Sequence, residues 1–188
     1  MSAAVLGITG SYSEEAAKRF LGLNSRVIGC ADFAGVFSAV RDGKARYAVL
    51  PVNNTITGRI EAAVNLLEAS EFRVVDQIEM QVCHILAGTP AATLEKVRTI
   101  ISHPEALRQC AGLFSRFPGL ESIPAEDTAT GVLRVVMEGK PETAAICSRR
   151  AAQKHGAKIL LEDIADDTLN KTTFVLAEWD VDRKGRKK

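Results

Sequence analysis

Short apolar runs alternate with segments of helical periodicity along the first half of the chain, and this order constrains the fold more than any other feature. Residues 5–8, 27–30 and 47–52 are apolar runs of strand length. Each is followed by a segment in which apolar residues recur at intervals of three and four, which is typical of an amphipathic helix. Strands that alternate with helices are joined by crossover connections, so this order predicts an α/β fold with a parallel sheet.

Capping residues mark the predicted helices, and the pattern begins again in the second half of the chain. Ser11 or Ser13 can cap the helix at 12–21, and Asp32 can cap the next one, which Gly43 stops. Two α/β lobes are expected, residues 1–75 with 174–188 and residues 76–173, with a ligand held in the cleft between them. Further strands are predicted at 72–75, 80–86, 99–102, 144–147, 158–161 and 173–177, and further helices at 60–67, 104–114, 128–137 and 148–155.

Composition and charge limit the class of protein. The chain has 188 residues, of which 46% are hydrophobic and 25% charged, as expected of a soluble globular protein. No apolar run approaches the roughly 20 residues that span a bilayer, and no secretory signal is visible, so a cytoplasmic location is expected. With a net charge of +1 the body has no electrostatic reason to bind nucleic acid. The basic tail Arg183–Lys188 is interpreted as a solvated terminus.

The cysteines and histidines do not predict a metal site. Cys30, Cys83, Cys110 and Cys147 are widely spaced with no CxxC pair, so they are interpreted as reduced core thiols. His84 is expected inside an apolar strand, His103 at the start of a helix and His155 at a surface helix end, none with other metal ligands nearby. There is no Walker loop or dinucleotide fingerprint, so no cofactor is expected.

Polar turns lie where ligands collect in an α/β fold, at the carboxyl ends of strands and the amino ends of helices. Four such turns occur, at residues 7–13, 51–58, 102–110 and 126–131. Each can be ordinary capping or turn chemistry, although their amides and hydroxyls also suit a hydroxylated, carboxylated ligand. The candidate substrate-binding residues in them are Thr9, Ser11, Ser13, Asn53, Asn54, Thr55, Gly58 and Thr128.

Six segments together resemble the catalytic domain of prephenate dehydratase, in that family's order and at its spacing. They are GITGSYSEEAA, VLPVNNTITGRI, SHPEALRQC, DTATG, AAICSRRAAQKHGAKIL and NKTTFVL. The resemblance covers about residues 5–177 and implies a two-lobed fold like that of type II periplasmic-binding proteins, with the active site in the cleft. It implies conversion of prephenate into phenylpyruvate by loss of water and carbon dioxide, and a homodimer. Because the chain ends soon after its last strand, no ACT regulatory domain and no feedback by phenylalanine are expected.

The last segment carries the family's catalytic motif with one change. The family has a threonine followed by arginine and phenylalanine, and here Thr172 and Phe174 occupy the outer positions while Thr173 replaces the arginine. The resemblance implies that Thr172 is catalytic and contacts the departing hydroxyl, with Lys171, Thr173 and Phe174 beside it at the substrate. A neutral threonine cannot make the charge-assisted contact of a guanidinium, whose hydrogen bonds are each worth about 1.5–3 kcal/mol.

Other positions near the predicted ligand also depart from the family. Asn53 stands where the family usually has glutamate, and Ile8 where it usually has proline. Lys171, Arg59 and Arg149 are candidate cations that could replace the missing arginine, although each is also a typical solvated surface charge. The anion-binding chemistry is therefore expected to differ in several places.

Three functions fit these residues. The first is a prephenate dehydratase acting on a small-molecule substrate. The second keeps the fold and changes the chemistry, for example to a prephenate decarboxylase or an amide hydrolase such as an N-acyl homoserine lactone acylase. Such a hydrolase would need a water activator among His103, Glu126, Asp127 and the hydroxyls of the cleft. The third is a non-catalytic sensor that binds a small molecule without turnover.

Overall fold

The chain forms two compact α/β units, each with its own sheet. The computed structural model describes residues 1–180, so the basic tail Arg183–Lys188 lies outside the described residues. Unit 1 comprises Met1–Gly7, Tyr12–Gln81 and the segment from Asn170 onward, and unit 2 comprises Ile8–Ser11 and Val82–Leu169. In chain order the elements are β1 (Ser2–Leu6), α1 (Tyr12–Leu21), β2 (Arg26–Cys30), α2 (Phe33–Arg41), β3 (Tyr47–Asn54), β4 (Gly58–Arg59), α3 (Glu61–Ala69), β5 (Phe72–Gln81), β6 (Ile85–Gly88), β7 (Thr99–Ser102), α4 (Pro104–Arg108), α5 (Ala111–Arg116), β8 (Glu121–Pro124), α6 (Thr128–Glu138), β9 (Thr143–Cys147), α7 (Arg149–His155), β10 (Lys158–Leu161) and β11 (Lys171–Trp179).

The sheet of unit 1 has six strands in the order β2-β1-β3-β11-β5, with the short β4 paired to β3. β1 is parallel to β2 and β3, as the alternation of strands and helices predicted. β11 is antiparallel to both β3 and β5, so the sheet as a whole is mixed. An antiparallel strand needs no crossover helix. No helix lies between β10 and β11, so the sequence gives no signal for the direction of β11.

The sheet of unit 2 has five strands in the order β10-β6-β9-β7-β8. β7 is parallel to β8 and β9, whereas β6 is antiparallel to β9 and β10. All five residues of β9 are buried, because helices cover this central strand on both faces. The α/β class predicted from the sequence is confirmed in both units.

Each sheet has apolar side chains packed on both faces. In unit 1, α2 covers one face through Val36, Phe37 and Val40, and α1 covers the other through Ala16 and Ala17. In unit 2 the corresponding layers are α6 with α7 on one face and α4 with α5 on the other. No helix within residues 1–180 is long and apolar enough to cross a membrane.

Helix ends follow the capping signals of the sequence. The Asp32 carboxylate accepts a hydrogen bond from the Gly35 N–H at 2.7 Å, as predicted for the start of α2. Asp127 caps α6 in the same way, through the Thr130 N–H at 2.7 Å. His103 begins α4 as predicted, and its Nδ1 accepts from the Glu105 N–H at 3.2 Å.

Several predicted elements differ from those observed. The single helix expected at 104–114 is two short helices, because Cys110 between them has a non-helical backbone. The two extended runs expected at 72–75 and 80–86 are one long β5 and a separate β6, and β4 and β8 were missed. His84 lies in the connection before β6, not inside a strand. Cys83 is exposed and Cys30 partly exposed, so only two of the four thiols are core residues, Cys110 and Cys147.

The predicted lobe boundaries, after residues 75 and 173, fall inside continuous strands. β5 and β11 pair from Phe72 opposite Trp179 to Gln81 opposite Lys171, so both strands belong wholly to unit 1. Thr172 and Thr173 therefore lie in unit 1. Residues 8–11 belong to unit 2 although the chain on either side of them belongs to unit 1.

Candidate active site

A buried polar cluster in unit 1 joins the end of β3 to the start of β11. Asn54 and Thr172 are opposite one another in the antiparallel pairing of these strands. The exposed fractions are 8% for Asn54, 1% for Asn170 and 8% for Thr172. Three polar side chains buried together must satisfy one another, because an unpaired buried polar group costs about 1–3 kcal/mol.

The Asn54 side chain links the members of this cluster. Its Oδ1 accepts hydrogen bonds from the backbone N–H groups of Ile56 at 2.9 Å and Thr57 at 3.1 Å. Its Nδ2 donates to Asn170 Oδ1 at 2.7 Å and to Thr172 Oγ1 at 2.9 Å. The two backbone donors fix which end of the amide is oxygen, so the NH₂ group must face Thr172.

This arrangement determines how the Thr172 hydroxyl is used. Its oxygen accepts from Asn54, and no acceptor for the hydroxyl hydrogen is found among residues 1–180. The hydroxyl hydrogen is therefore available to a ligand as a hydrogen-bond donor. Such a donor suits an oxygen that gains negative charge in a reaction.

The neighbouring turn is tied to β11 through the backbone. The Thr55 N–H donates to the Lys171 carbonyl at 2.9 Å, and the Lys171 N–H donates to Thr55 Oγ1 at 2.9 Å. Gly58 ends the turn with φ +78°, a left-handed conformation that side chains rarely adopt. These contacts hold Asn53, Asn54 and Thr55 in a fixed relation to Thr172.

Thr173 and Phe174 have different environments. Thr173 is half-buried and lies opposite Asn53 on β3 and Glu79 on β5. Phe174 is only 2% exposed and belongs to the core with Val49 and Met80. The structure thus places Phe174 beneath the cluster, where it supports the strand that carries Thr172.

The three candidate cations each have a carboxylate partner. Lys171 Nζ is 3.9 Å from Glu79, and Arg59 pairs with Glu68 at 2.9 Å and with Glu61 at 3.3 Å. In unit 2, Arg149 pairs with Glu162 at 2.7 Å. All four ion pairs are about half exposed, and exposed pairs are worth about 0–1 kcal/mol, so an anionic ligand could displace the carboxylate. Of the three, Lys171 alone is next to Thr172 in the chain.

The first polar turn of the sequence is divided between the units. Thr9 and Ser11 belong to unit 2, where the Thr9 carbonyl accepts from His155 Nε2 at 2.9 Å, whereas Ser13 lies in α1 of unit 1. Gly10 has φ +94°, and a Cβ there would lie 3.0 Å from Ala151 Cα, so this turn needs glycine. Thr128 is the first residue of α6 in unit 2. The roles of Thr9, Ser11, Ser13 and Thr128 in substrate binding stay predictions.

Sequence reasoning missed a second buried polar group, in unit 2. His84 is 3% exposed, and its Nε2 is 3.0 Å from Gln109 Oε1. Gln109 Nε2 in turn donates to Glu105 Oε1 at 2.8 Å, so the amide must accept from a protonated Nε2 of His84. Burial lowers the pKa of His84, and the Gln109 hydrogen bond and the Glu105 charge oppose this only in part. The residues are 25 positions apart, so no local pattern could have revealed the pair.

The two core thiols are not in the reactive thiolate form, and no metal centre is found among the described residues. Burial raises the pKa of Cys110 and of Cys147 to about 12, so both are protonated at neutral pH. Within residues 1–180 no group of three or more His, Cys, Asp or Glu side chains could hold a metal ion.

The model of one protein family matches nearly the whole described chain, and its description is prephenate dehydratase, over residues 3–180. The chain belongs to the prephenate dehydratase family. The resemblance seen in the six sequence segments is thereby confirmed. Asn54 and Thr172 lie in two of those segments, which the fold brings together.

Curated relatives in the prephenate dehydratase family are longer proteins. The arogenate dehydratase/prephenate dehydratase 1, chloroplastic, of Arabidopsis thaliana is 37% identical over 170 residues, which cover 90% of this chain and 43% of the relative. The bifunctional chorismate mutase/prephenate dehydratase of Escherichia coli is 31% identical over 176 residues, covering 92% and 46%. The chain thus spans less than half the length of these relatives.

Two solved structures share the fold. The prephenate dehydratase of Arthrobacter aurescens, in complex with L-Phe, matches with a TM-score of 0.87 and 25% identity, over 95% of this chain and 60% of that one. GqqA, described as a novel type of quorum quenching acylase, matches with a TM-score of 0.82 and 32% identity, over 95% and 64%. The fold that the family resemblance implied is therefore confirmed.

Proposed function

We propose that this chain catalyses the decarboxylating dehydration of prephenate to phenylpyruvate, with Thr172 as the hydrogen-bond donor to the departing hydroxyl. The observation that carries the proposal is the hydrogen bond from Asn54 Nδ2 to Thr172 Oγ1, at 2.9 Å. The threonine oxygen is the acceptor in this bond, so the hydroxyl hydrogen stays available to the substrate. Family membership supports the same reaction.

The reaction asks little covalent chemistry of the protein. The bond between the ring and the carboxylate breaks, its electron pair enters the ring, and the hydroxyl on the opposite side leaves and becomes water with a proton from solvent. Carbon dioxide is the other product. Aromatisation drives these steps, so the protein contributes orientation and a hydrogen bond at the oxygen that becomes negative.

Lys171 is the cation that we assign to a substrate carboxylate. It adjoins Thr172 in β11, and its pairing with Glu79 at 3.9 Å is long and exposed. A lysine is a point charge without the two-pronged geometry of a guanidinium, so the carboxylate is held less tightly than by arginine. Weak substrate binding, seen as a high KM, is the expected consequence of Thr173.

A hydroxyl-specific pair of variants tests the role of Thr172. Thr172→Val removes the hydroxyl at nearly constant volume and should lower kcat by about 10²-fold or more, while Thr172→Ser should keep most of the activity. Phenylpyruvate formation from prephenate and thermal unfolding are measured for both, with Thr99→Val on β7 of unit 2 as control. A Thr172→Val variant as active as the original chain would refute the proposal.

A gain-of-function variant tests the missing arginine. Thr173→Arg should lower the KM for prephenate by about ten-fold, since a guanidinium can bind the carboxylate in a bidentate manner. Glu79 lies opposite position 173 and would compete for the new arginine, so Thr173→Arg with Glu79→Gln should improve binding further. The same assays with arogenate, which carries an amino group where prephenate has a ketone, determine which of the two the chain prefers.

An amide hydrolase is the second candidate, supported by the 32% identity to GqqA and the loss of a carboxylate-binding arginine. The predicted water activators are less suited to it, because His103 Nδ1 and the Asp127 carboxylate both accept backbone N–H groups at helix starts. Release of fatty acid from an N-acyl homoserine lactone, without phenylpyruvate from prephenate, would favour this candidate. Binding of prephenate without any turnover would favour a sensor.

A further inference from the structure

Unit 2 has a pocket that none of the candidate active-site residues lines. Its volume is about 320 Å³, within the range of sites that hold small molecules. It lies between the segment before β7 and the segment that follows α5. The apolar lining residues are Leu94, Val97, Phe117, Pro118 and Leu120, and the others are Glu95, Arg98, Arg116 and Gly119.

Arg98 is held in place with part of its guanidinium unused. Its Nη1 donates to the Glu95 carbonyl at 2.7 Å and to the Val97 carbonyl at 2.8 Å. No acceptor for its Nε or Nη2 is found among residues 1–180. A guanidinium fixed at one nitrogen presents the others in a defined geometry, which favours bidentate binding of a carboxylate.

Arg116 adds a second positive charge at the same pocket. Its guanidinium carbon lies 5.2 Å from the centre of the Phe117 ring, a cation–π contact. Neither Arg98 nor Arg116 has a carboxylate ion pair in the described part of the chain. By contrast, the exposed Arg59, Arg108 and Arg134 each have one. The Glu95 carboxylate also lines the pocket, and hydrogen bonds to its own backbone and to Thr93 lower its pKa.

We propose that this pocket is a binding site for a small aromatic monocarboxylate. It is distinct from the buried polar cluster of Asn54, Asn170 and Thr172, called the Thr172 cluster below. The ring packs against Phe117 and the aliphatic side chains, and the carboxylate binds to Arg98 and Arg116. Two arginines without an ion pair among residues 1–180, beside one carboxylate, leave the apolar cavity with a net positive charge. This matches an apolar body that carries a single negative charge. Phenylpyruvate belongs to this class, but the site rests on its own lining and does not depend on the proposed reaction.

The test uses a ligand on which the chain can do no dehydratase chemistry. Calorimetry of the purified chain with 3-phenylpropionate should show binding, and 3-phenylpropionamide, which has the same shape without the charge, should bind at least about ten-fold more weakly. Arg98→Gln with Arg116→Gln should remove that preference. Arg41→Gln, on α2 of unit 1, is the matched control and should leave both affinities unchanged.

Two further variants distinguish binding in this pocket from binding at the Thr172 cluster. Gly119→Leu places a side chain where a Cβ would meet nothing within 4 Å, so it should fill the pocket and block binding without disturbing the fold. Thr172→Val should leave the affinity for 3-phenylpropionate unchanged. Equal binding of the acid and the amide, or binding that is lost in Thr172→Val and kept in the arginine and Gly119 variants, would overturn the proposal.

Failure of this proposal is distinguishable from failure of the proposed function. The arginine and Gly119 variants are assayed for phenylpyruvate formation beside the original chain at low product concentration. In the original chain, normal turnover without calorimetric binding of 3-phenylpropionate would reject the pocket and leave the dehydratase proposal intact. Binding without turnover would do the reverse.

Discussion

Asn54 shows how one side chain can set the chemistry of another. Its amide joins the turn after β3 to two residues of the last strand segment, Asn170 and Thr172, which lie 116 and 118 positions away. Each end of the amide has partners that the other end could not satisfy. The use of the Thr172 oxygen as an acceptor therefore follows from contacts that Asn54 makes with the backbone.

Replacing Asn54 by aspartate tests this dependence. Asn54→Asp keeps the acceptor for Ile56 and Thr57 but puts an acceptor where Thr172 needs a donor, so the hydroxyl turns toward the carboxylate. We expect kcat to fall by about 10²-fold and stability to fall by about 1–3 kcal/mol, since the hydrogen bond from Asn54 to Asn170 Oδ1 is lost. Phenylpyruvate formation and urea unfolding measure the two effects. Asn53→Asp, with the same charge change, is the control, and an equal loss of kcat there would point to charge alone.

His84 makes stability depend on pH. The folded chain holds the ring neutral because burial lowers its pKa, whereas the unfolded chain takes up a proton near pH 6.5. The stability that the neutral His84 ring contributes is therefore complete above about pH 6.5. It is lost as the pH falls from there through the lower pKa of the folded state. We expect the free energy of unfolding to decrease between pH 7.5 and 5.5.

The control for this prediction is a variant that keeps a donor without titrating. His84→Gln should weaken the pH dependence in that interval, because glutamine takes up no proton. Carboxylates whose pKa is lowered in the fold, such as Glu105 next to Arg108, change stability only at pH values below their ordinary pKa of 4.5. Their effect therefore falls outside the interval from pH 7.5 to 5.5. An unchanged pH slope in His84→Gln would contradict the prediction.

At the scale of elements, the close approach of α6 to β7 depends on one glycine. A Cβ at Gly131 would lie 3.1 Å from the Ile101 carbonyl oxygen and 3.4 Å from Ser102 Cα. These are backbone atoms of a central strand, which cannot move without disturbing its pairing with β8 and β9. The spacing between helix and sheet is thus set by the absence of a side chain.

Gly131→Ala should therefore destabilise unit 2 although alanine is the better helix former. We expect a loss of about 1–3 kcal/mol in chemical denaturation, because the added methyl forces the helix away from the strand. Gly119→Ala is the matched control, since a Cβ there meets nothing within 4 Å, and should change stability by less than about 0.5 kcal/mol. A stabilising Gly131→Ala would show that the layers have room to spare.

Most single elements could be predicted, and the exceptions have local causes. α1 and α2 have clear helical periodicity and candidate capping residues, and β7 is a clear apolar run. Their observed bounds agree with the predicted ones to within a residue or two. The continuous β5 was missed because its middle residues are mostly polar and exposed, so they lack the apolar signal of a buried strand. The break between α4 and α5 was missed because neither residue at the break, Gln109 or Cys110, is a glycine or a proline.

At the scale of the whole molecule, the two units have separate cores, each with its own layers. The buried clusters of unit 1 and of unit 2 have no residue in common. Local opening of a protein follows such cooperative groups of contacts. A core change in one unit should therefore affect amide exchange in that unit first.

Ile146→Val tests this independence in unit 2. Ile146 is completely buried in β9, and removing one methylene there should cost about 0.5–1.5 kcal/mol. Native-state hydrogen exchange should show reduced protection in β7 and β9 and unchanged protection in β1 and β3. Val49→Ala in β3 is the converse control, and an equal loss of protection in both sheets for either variant would mean that the chain unfolds as one group.

The sequence by itself determined the α/β class, most helices and strands, the family, and the segments that carry the candidate site. Short-range sequence patterns predict these features. The period of apolar residues, the capping side chains and the turn glycines each involve residues only a few positions apart. Tertiary structure alone decided that β11 lies antiparallel between β3 and β5, that residues 8–11 join unit 2, and that Asn54 meets Thr172. Such contacts join segments that are far apart in the chain. They form because the folded arrangement buries the apolar side chains and also gives the buried polar groups hydrogen-bond partners, and no local sequence pattern encodes this.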